Sequence, residues 1–115
     1  MFEIWHNPRC SKSRQTLSLL EEAGVDCNIY LYLEDPPDRA KLTRAIKSLD
    51  ITARDLLRKG EQLYKELGLV DSSLSDKQLV EAMCKYPKLI ERPIVQKGER
   101  AVLGRPPENV KALLA

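Results

Sequence analysis

The sequence predicts an α/β fold in which a mixed four-stranded sheet is flanked by helices. Three observations support this prediction. The chain begins with a strand-helix-strand pattern, continues with amphipathic helix patterns, and ends with two short apolar runs around a Lys-Gly pair and a last short helix. Strands joined by a helix pair in parallel and strands joined by a tight turn pair antiparallel, so the sheet is expected to be mixed.

The strand-helix-strand pattern comes first. Residues 2–5 (FEIW) form a short aromatic and branched run that stops at an Asn-Pro turn signal, which predicts a strand. A helix is predicted from about Ser11, with one apolar face, until Gly24 ends it. Residues 27–33 (CNIYLYL) predict a second, largely buried strand that ends at the Asp-Pro-Pro of residues 35–37.

Helical patterns fill the middle of the chain. One stripe has the i, i+3, i+4, i+7 spacing of a helix face and consists of Leu42, Ala45, Ile46 and Leu49. The segment TARDLLRKG starts with a Thr-x-x-Asp cap pattern at Thr52, and SDKQLVEAMCKY starts with a capping box formed by Ser75 and Gln78. Residues 69–74 are expected to connect these helical pieces.

The end of the chain predicts a β-hairpin and a short helix. RPIVQKGERAVLG contains two apolar runs around residues 97–98, and the Pro-Pro pair at residues 106–107 opens the last helix. The complete order, β-α-β, helices, β-β-α, is that of a thioredoxin-like fold. A length of 115 residues predicts a single domain over residues 1–115.

Composition and charge exclude several classes of function. The 19 basic and 17 acidic residues are scattered, without the basic stripe that binds a phosphate backbone, so no nucleic-acid partner is expected. No apolar run in the sequence approaches the roughly 18 residues of a membrane span, and the first residues, MFEIW, do not resemble a signal peptide. We therefore expect no membrane partner and a cytoplasmic location.

Cys10, within WHNPRCSKSR, is the candidate nucleophile. It is predicted at the carboxyl end of the first strand and the amino end of the first helix, where α/β sheets bind ligands. A helix start favours a thiolate and a bound anion, and can lower a cysteine pKa from about 8.5 to between roughly 3.5 and 7.5. The cationic neighbours Arg9, Lys12 and Arg14 and the hydroxyls of Ser11 and Ser13 favour a reactive thiol over a packed bystander.

The other two cysteines are expected to have structural roles. Cys27 begins the second strand, at the end of the parallel unit opposite Cys10, so these two thiols should be too far apart for a disulfide. Cys84 shares a helix face with apolar residues and is expected in the core. Because Ser13 stands where a Cys-x-x-Cys pair has its second sulfur, Cys10 would need a resolving thiol from outside the protein. One histidine and no Cys-x-x-Cys also predict no metal site.

The sequence resembles the glutaredoxin-coupled arsenate reductase family over nearly its whole length. Five blocks carry the resemblance by their order and spacing: HNPRCSKSR, YLEDPP, LLRKGE, ERPIV and LGRPPE. The resemblance implies a thioredoxin-like fold in which Cys10 attacks arsenate and Arg58, Arg92 and Arg105 hold the oxyanion. It further implies reduction of arsenate to arsenite through a covalent Cys10–arsenic adduct, with glutathione and glutaredoxin as external partners and no bound cofactor.

The resemblance and the local charge assign further roles around Cys10. His6 and Ser13 match family positions that tune the thiolate, and Arg14 adds positive charge nearby. Pro93, after Arg92, matches the cis-proline before the third strand of the fold. Arg9, Ser11 and Lys12 stand where the arsenate-resistance enzymes of the family usually carry small neutral residues. The sequence also lacks the longer tail of those enzymes after the last arginine block, and in this respect it resembles a compact, reductase-related branch of the family.

Two alternative functions stay open at this point. One is a redox-responsive regulator like the Spx proteins, which share the fold and bind RNA polymerase but typically use a Cys-x-x-Cys switch. The other is a glutathione-dependent thiol oxidoreductase with a substrate other than arsenate. A phosphatase-type site is disfavoured because it requires Cys-x5-Arg, whereas only three residues separate Cys10 from Arg14.

Overall fold

A computed structural model describes residues 1–114 of the chain. The elements in chain order are β1 (Phe2–Trp5), α1 (Ser11–Glu22), β2 (Cys27–Tyr30), α2 (Arg39–Leu49), α3 (Ala53–Leu56), α4 (Gln62–Glu66), α5 (Asp76–Lys85), β3 (Ile94–Lys97), β4 (Arg100–Leu103) and α6 (Lys111–Leu114). Single 3₁₀ turns cover Pro87–Leu89 and Pro107–Val110. The chain divides into two compact units, a sheet unit formed by residues 1–35 together with those from Arg92 onward, and a helical unit formed by residues 36–91. The prediction of a single domain over residues 1–115 stays a prediction.

The four strands form one mixed sheet in the order β2-β1-β3-β4. β1 pairs in parallel with β2, from Phe2 opposite Cys27 to Trp5 opposite Tyr30. β3 pairs antiparallel with both β1 and β4, and the β3–β4 turn contains Gly98 with a φ of 62°. The predicted fold class, a thioredoxin-like α/β fold with a mixed four-stranded sheet, is confirmed.

One face of the sheet packs against α1 and the last helical segment. The buried side chains of this core are Phe2, Ile4, Leu20, Val95, Val110 and Leu113. The opposite face carries Trp5, which is fully buried, meets Tyr30 edge-on, and donates a hydrogen bond to Gln96. Alternating residues of β1 thus point to different faces, as a strand requires, and the carboxyl end of β1 is fixed where the loop to α1 begins.

The second strand is shorter and more exposed than predicted. β2 ends at Tyr30, and Leu31 opens a turn in which its carbonyl accepts hydrogen bonds from the N–H groups of Glu34 and Asp35. Ile29 is 48% exposed and Leu33 39% exposed, so the prediction of a largely buried strand over residues 27–33 is wrong. The physical reason is that β2 is the edge strand of the sheet, so its apolar run lacks a neighbouring strand on one side.

The helical unit begins its helices largely where the sequence predicts. Thr52 and Ser75 both form complete capping boxes, at the starts of α3 and α5. The predicted stripe of α2 is buried at Leu42 and Ala45. The TARDLLRKG helix covers only Ala53–Leu56, and α4 was not predicted. None of the helices within residues 1–114 has the length and apolar character needed to cross a membrane.

Candidate active site

Cys10 occupies the position that its place in the sequence predicts. It is the N-cap residue of α1, with extended backbone angles of φ −95° and ψ 122°, and its carbonyl accepts the helix hydrogen bond from the N–H of Arg14 at 3.0 Å. Its own N–H donates to the carbonyl of Asn7 at 2.9 Å, which closes the loop after β1 into a tight turn. The residue is only 9% exposed, so its sulfur is held against the first turn of the helix.

The surroundings of Cys10 favour the thiolate. Burial alone would raise the pKa of the Cys10 thiol, yet that pKa is lowered because several groups stabilise the charged sulfur. In decreasing order of effect, these are the backbone N–H of Ser13, the charge of Arg92, the backbone N–H of Lys12 and the guanidinium of Arg105. Hydrogen bonds and positive charge directed at the ionised form outweigh its desolvation. The expected nucleophile is therefore activated by its position and by two arginines.

Arg92 and Arg105 meet beside Cys10. The Nη1 atom of Arg105 lies 3.9 Å from the Cys10 sulfur and donates a hydrogen bond to the carbonyl of Arg92 at 3.2 Å. The Arg92–Pro93 peptide bond is cis, as expected, and the Arg105–Pro106 bond is also cis, which had not been predicted from the sequence. Two of the three arginines expected to hold an oxyanion are thus placed next to the thiol.

His6 and Ser13 form a buried pair behind the loop. The Nδ1 atom of His6 lies 2.6 Å from the Ser13 hydroxyl, which also accepts the N–H of Asn7 at 3.0 Å. Burial, and then the positive charge of Arg14, lower the pKa of His6 below its usual 6.5, against a smaller opposing effect of Glu21. The imidazole is therefore neutral at neutral pH. The Ser13 hydroxyl is engaged by the loop, while the backbone N–H of the same residue acts on the sulfur.

Arg14 is hydrogen-bonded to the loop between β1 and α1. Its Nη1 atom donates to the carbonyl of Pro8 at 2.9 Å, on the exposed side of α1. Its charge acts on His6 and is not among the groups that lower the pKa of Cys10. The thiolate-tuning role assigned to Arg14 stays a prediction, and its contacts give it a structural connection to the loop.

Arg58 lies in the helical unit. Its guanidinium is 3.5 Å from the carboxylate of Glu61 and donates to the carbonyl of Lys88 at 3.4 Å. Its backbone N–H donates to the carbonyl of Leu89 at 2.8 Å, so the residue is anchored through both its backbone and its side chain. The role of Arg58 in holding an anion stays a prediction from the family resemblance.

The other two cysteines differ from Cys10 in their electrostatic setting. Cys10, Cys27 and Cys84 are all free thiols. Burial is the main factor that raises the pKa of both Cys27 and Cys84 above the usual value for a thiol. Cys84 is partly exposed and lines a surface depression with Arg39, Glu81 and Lys85, so the expectation that it packs in the core is wrong. It lies at the border of the apolar face of α5, whose buried residues are Leu79, Val80 and Met83.

Two residues near the site had not been identified from the sequence. Thr16 is fully buried in α1, and its hydroxyl lies 3.3 Å from the carbonyl oxygen of Gly104, the residue before Arg105. Their contact joins positions 88 residues apart. A glycine before an Arg-Pro pair is the only local signal, and it indicates a turn or close approach without identifying the partner.

Comparison with known proteins agrees with this arrangement. The sequence profile of the ArsC family matches residues 5–113. The chain is 56% identical over 109 residues to uncharacterized protein YfgD of Escherichia coli (strain K12), covering 94% of this chain and 92% of that protein. It is 46% identical over 113 residues to an arsenate reductase of Neisseria meningitidis serogroup A, covering 97% of each.

A solved structure shows the same fold. The arsenate reductase from Vibrio cholerae superposes with a TM-score of 0.94 at 49% identity, covering 96% of this chain and 95% of that one. The matched region extends from the end of β1 into α6 and so includes the thiol loop and all three arginines. With this thiol loop on this fold, and with a family profile matched from residue 5 to residue 113, the chain belongs to the ArsC family.

Proposed function

We propose that the protein reduces arsenate to arsenite, with Cys10 as the nucleophile. The observation that carries the proposal is the Cys10 sulfur, held at the start of α1 with the Arg105 guanidinium 3.9 Å away and the charge of Arg92 acting on it. Relatives at 46% identity are named arsenate reductases, which supports arsenate as the anion. Guanidinium groups stay charged at any working pH and offer paired donors that match an oxyanion.

The first step forms a sulfur–arsenic bond. The Cys10 thiolate attacks arsenic and an arsenate oxygen leaves as water after protonation, so arsenic stays in the +5 state. Arg92 and Arg105 offset the repulsion between the thiolate and the anion, and they stabilise negative charge that develops on the arsenate oxygens. Arg58 is proposed as a third ligand on the basis of the family resemblance alone.

External thiols complete the cycle. Glutathione displaces a second oxygen as water and forms an arsenic–sulfur bond, and a glutaredoxin thiolate then attacks the glutathione sulfur. The electron pair of that bond stays on arsenic, which becomes +3, and water releases arsenite from Cys10. A second glutathione frees the glutaredoxin, so the sum is arsenate plus two glutathione molecules giving arsenite, oxidised glutathione and water. Support for outside thiols comes from Ser13, which replaces the second cysteine of a Cys-x-x-Cys pair. Such a cycle needs the reducing cytoplasm, where we propose the protein acts.

A coupled assay tests the proposal. Arsenate-dependent NADPH consumption is measured with glutathione, glutaredoxin and glutathione reductase for the wild type, Cys10→Ser and the matched control Cys84→Ser. We expect activity in the wild type and Cys84→Ser and none in Cys10→Ser. Activity that survives in Cys10→Ser would refute the nucleophile.

A wild-type protein without arsenate reductase activity would refute arsenate as the substrate. Turnover of glutathione mixed disulfides under the same conditions would then favour a thiol oxidoreductase, and co-purification with RNA polymerase would favour a regulator. The variant Arg92→Lys tests the arginine role separately, because lysine keeps the charge and loses the planar pair of donors. We expect it to raise KM for arsenate by about tenfold, equivalent to one charge-assisted hydrogen bond.

A further inference from the structure

Thr16 connects the helix that carries the thiol to the end of β4. Its hydroxyl lies 2.8 Å from the carbonyl oxygen of Lys12, one helical turn earlier, and 3.3 Å from the carbonyl oxygen of Gly104. A hydroxyl has one proton, so these two acceptors share it. The residue is fully buried, which makes this contact part of a fixed interface between α1 and the segment after β4.

Gly104 leaves no room for a side chain at this interface. A Cβ atom placed on it would collide with the Thr16 hydroxyl oxygen and would lie 2.9 Å from Thr16 Cγ2 and 2.8 Å from the Pro93 ring carbon Cγ. All of these distances are shorter than ordinary van der Waals contact. The backbone at Gly104 therefore approaches α1 and Pro93 as closely as it does because the residue is glycine.

The same contact adjoins both arginines of the site. Gly104 immediately precedes Arg105, and its N–H donates to the carbonyl of Pro93 at 2.9 Å, the residue immediately after Arg92. The side chain of Arg105 returns to the Arg92 carbonyl at 3.2 Å. The two arginine-bearing segments are thus hydrogen-bonded to each other, and Thr16 packs on their junction.

We propose that Thr16 and Gly104 are positioning residues that set how closely Arg92 and Arg105 approach the Cys10 sulfur. Within α1, the Thr16 hydroxyl donates to the carbonyl of Lys12, and the N–H of Lys12 acts on that sulfur. The same hydroxyl contacts the arginine segments through the carbonyl of Gly104. The inference rests on the proposed function for its kinetic consequences. Its effect on the thiol itself does not depend on the substrate.

The variant Gly104→Ala tests this role. Its methyl group must push the Arg105 segment away from α1. A displacement of about 1 Å from the present 3.9 Å would raise the pKa of Cys10 by roughly 0.2 unit with full solvent screening and roughly 0.6 unit at an effective dielectric constant near 20. Arg92 and Arg105 are the charged groups acting on this thiol, and the helix N–H groups stay in place, so the shift stays modest. For arsenate we expect about a fivefold loss of kcat/KM, mostly in KM, consistent with a weaker anion site.

Rescue and controls separate positioning from general destabilisation. In Thr16→Ala/Gly104→Ala the two Thr16 atoms nearest the new methyl group are gone and the close contact with the Pro93 ring stays, so we expect the thiol pKa to return part of the way towards the wild-type value. Gly60→Ala is the matched control, because its Cβ would meet nothing within 4 Å. Should Gly104→Ala fail to fold, Thr16→Val keeps the shape and removes the shared hydrogen bond, and a smaller rise of the thiol pKa is expected.

The outcomes distinguish this inference from the proposed function. A raised thiol pKa in Gly104→Ala that is rescued in the double variant supports the positioning role, whether or not arsenate is turned over. An unchanged thiol pKa in every folded Thr16 and Gly104 variant would overturn it. Arsenate activity without any thiol shift would leave the proposed function standing and remove only the positioning role.

Discussion

Replacing Arg105 by glutamine is expected to raise the pKa of the Cys10 thiol by about one unit. The guanidinium Nη1 atom lies 3.9 Å from the sulfur. Two unit charges about 4 Å apart interact by about 1 kcal/mol in water and about 4 kcal/mol at an effective dielectric constant near 20. Each 1.36 kcal/mol corresponds to about one pKa unit, so these limits give roughly one to three units. Arg105 is exposed, so solvent screening favours the lower limit.

The measurement requires that only Cys10 titrates. We would substitute Cys27→Ser and Cys84→Ser and follow the ultraviolet absorbance of the thiolate as a function of pH. The control is Arg100→Gln, because Arg100 is also an exposed arginine, lies at the start of β4, and donates to the carbonyl of Ala112 at 2.9 Å. The control should leave the thiol pKa unchanged.

The variant Arg105→Lys completes the experiment. Lysine keeps the positive charge on a flexible stem, so a rise of the Cys10 pKa smaller than in Arg105→Gln is expected. An unchanged thiol pKa in Arg105→Gln would refute the electrostatic role of Arg105 and leave Arg92 and the helix N–H groups as the causes of activation. A rise of equal size in Arg100→Gln would show a general charge effect instead of a local one.

Three further predictions follow from the described geometry. At neutral pH, iodoacetamide should alkylate Cys10 before Cys27 and Cys84, because burial raises the pKa values of the latter two thiols. Mass spectrometry of the digested protein after increasing labelling times gives the order of alkylation. Labelling of Cys84 before Cys10 would contradict the prediction. Because the pKa of His6 is lowered in the fold, the stability that His6 contributes is complete above pH 6.5 and is lost as pH falls below it. In urea titrations from about pH 7.5 to about pH 5, the free energy of unfolding of His6→Asn should therefore depend less on pH than that of the wild type. Equal pH dependence in the two proteins would contradict this. Ser75→Ala removes the capping box of α5 and should lower the free energy of unfolding by about 1 kcal/mol in urea titrations, whereas unchanged stability would show that this cap is not formed in solution.

The order of the strands and of all helices except α4 was predictable because it depends on local patterns. The capping boxes at Thr52 and Ser75 mark the starts of α3 and α5, and residues 2–5 form β1 as predicted. The burial of β2 was not predictable, since it depends on which strands become neighbours in the sheet. An apolar run has the same appearance in an edge strand as in a central one, and only the order β2-β1-β3-β4 places residues 27–30 at the edge.

The site was predictable only in part for a related reason. Cys10 could be identified from the residues around it, because a helix start and its charge are local features. Arg92 and Arg105 came from the family resemblance, and their approach to the sulfur arises from contacts between distant parts of the chain. The glycine before the Arg-Pro pair is the only local signal of the Thr16–Gly104 contact, and a buried threonine in a helix does not indicate which backbone segment it meets.

Arginine charges and backbone N–H groups both lower the pKa of the Cys10 thiol, and binding of an oxyanion would change their effects differently. The charges of Arg92 and Arg105 lower the thiol pKa, but an anion bound to them would neutralise that effect and bring its own negative charge towards the thiolate. The backbone N–H groups of Lys12 and Ser13 belong to the first turn of α1 and keep their orientation towards the sulfur. On the proposed function, the helix N–H groups would continue to stabilise the thiolate in the bound state, while the arginines would contact the oxyanion. On the proposed function, this division explains why loss of an arginine should weaken anion binding more than it reduces the reactivity of the bound complex.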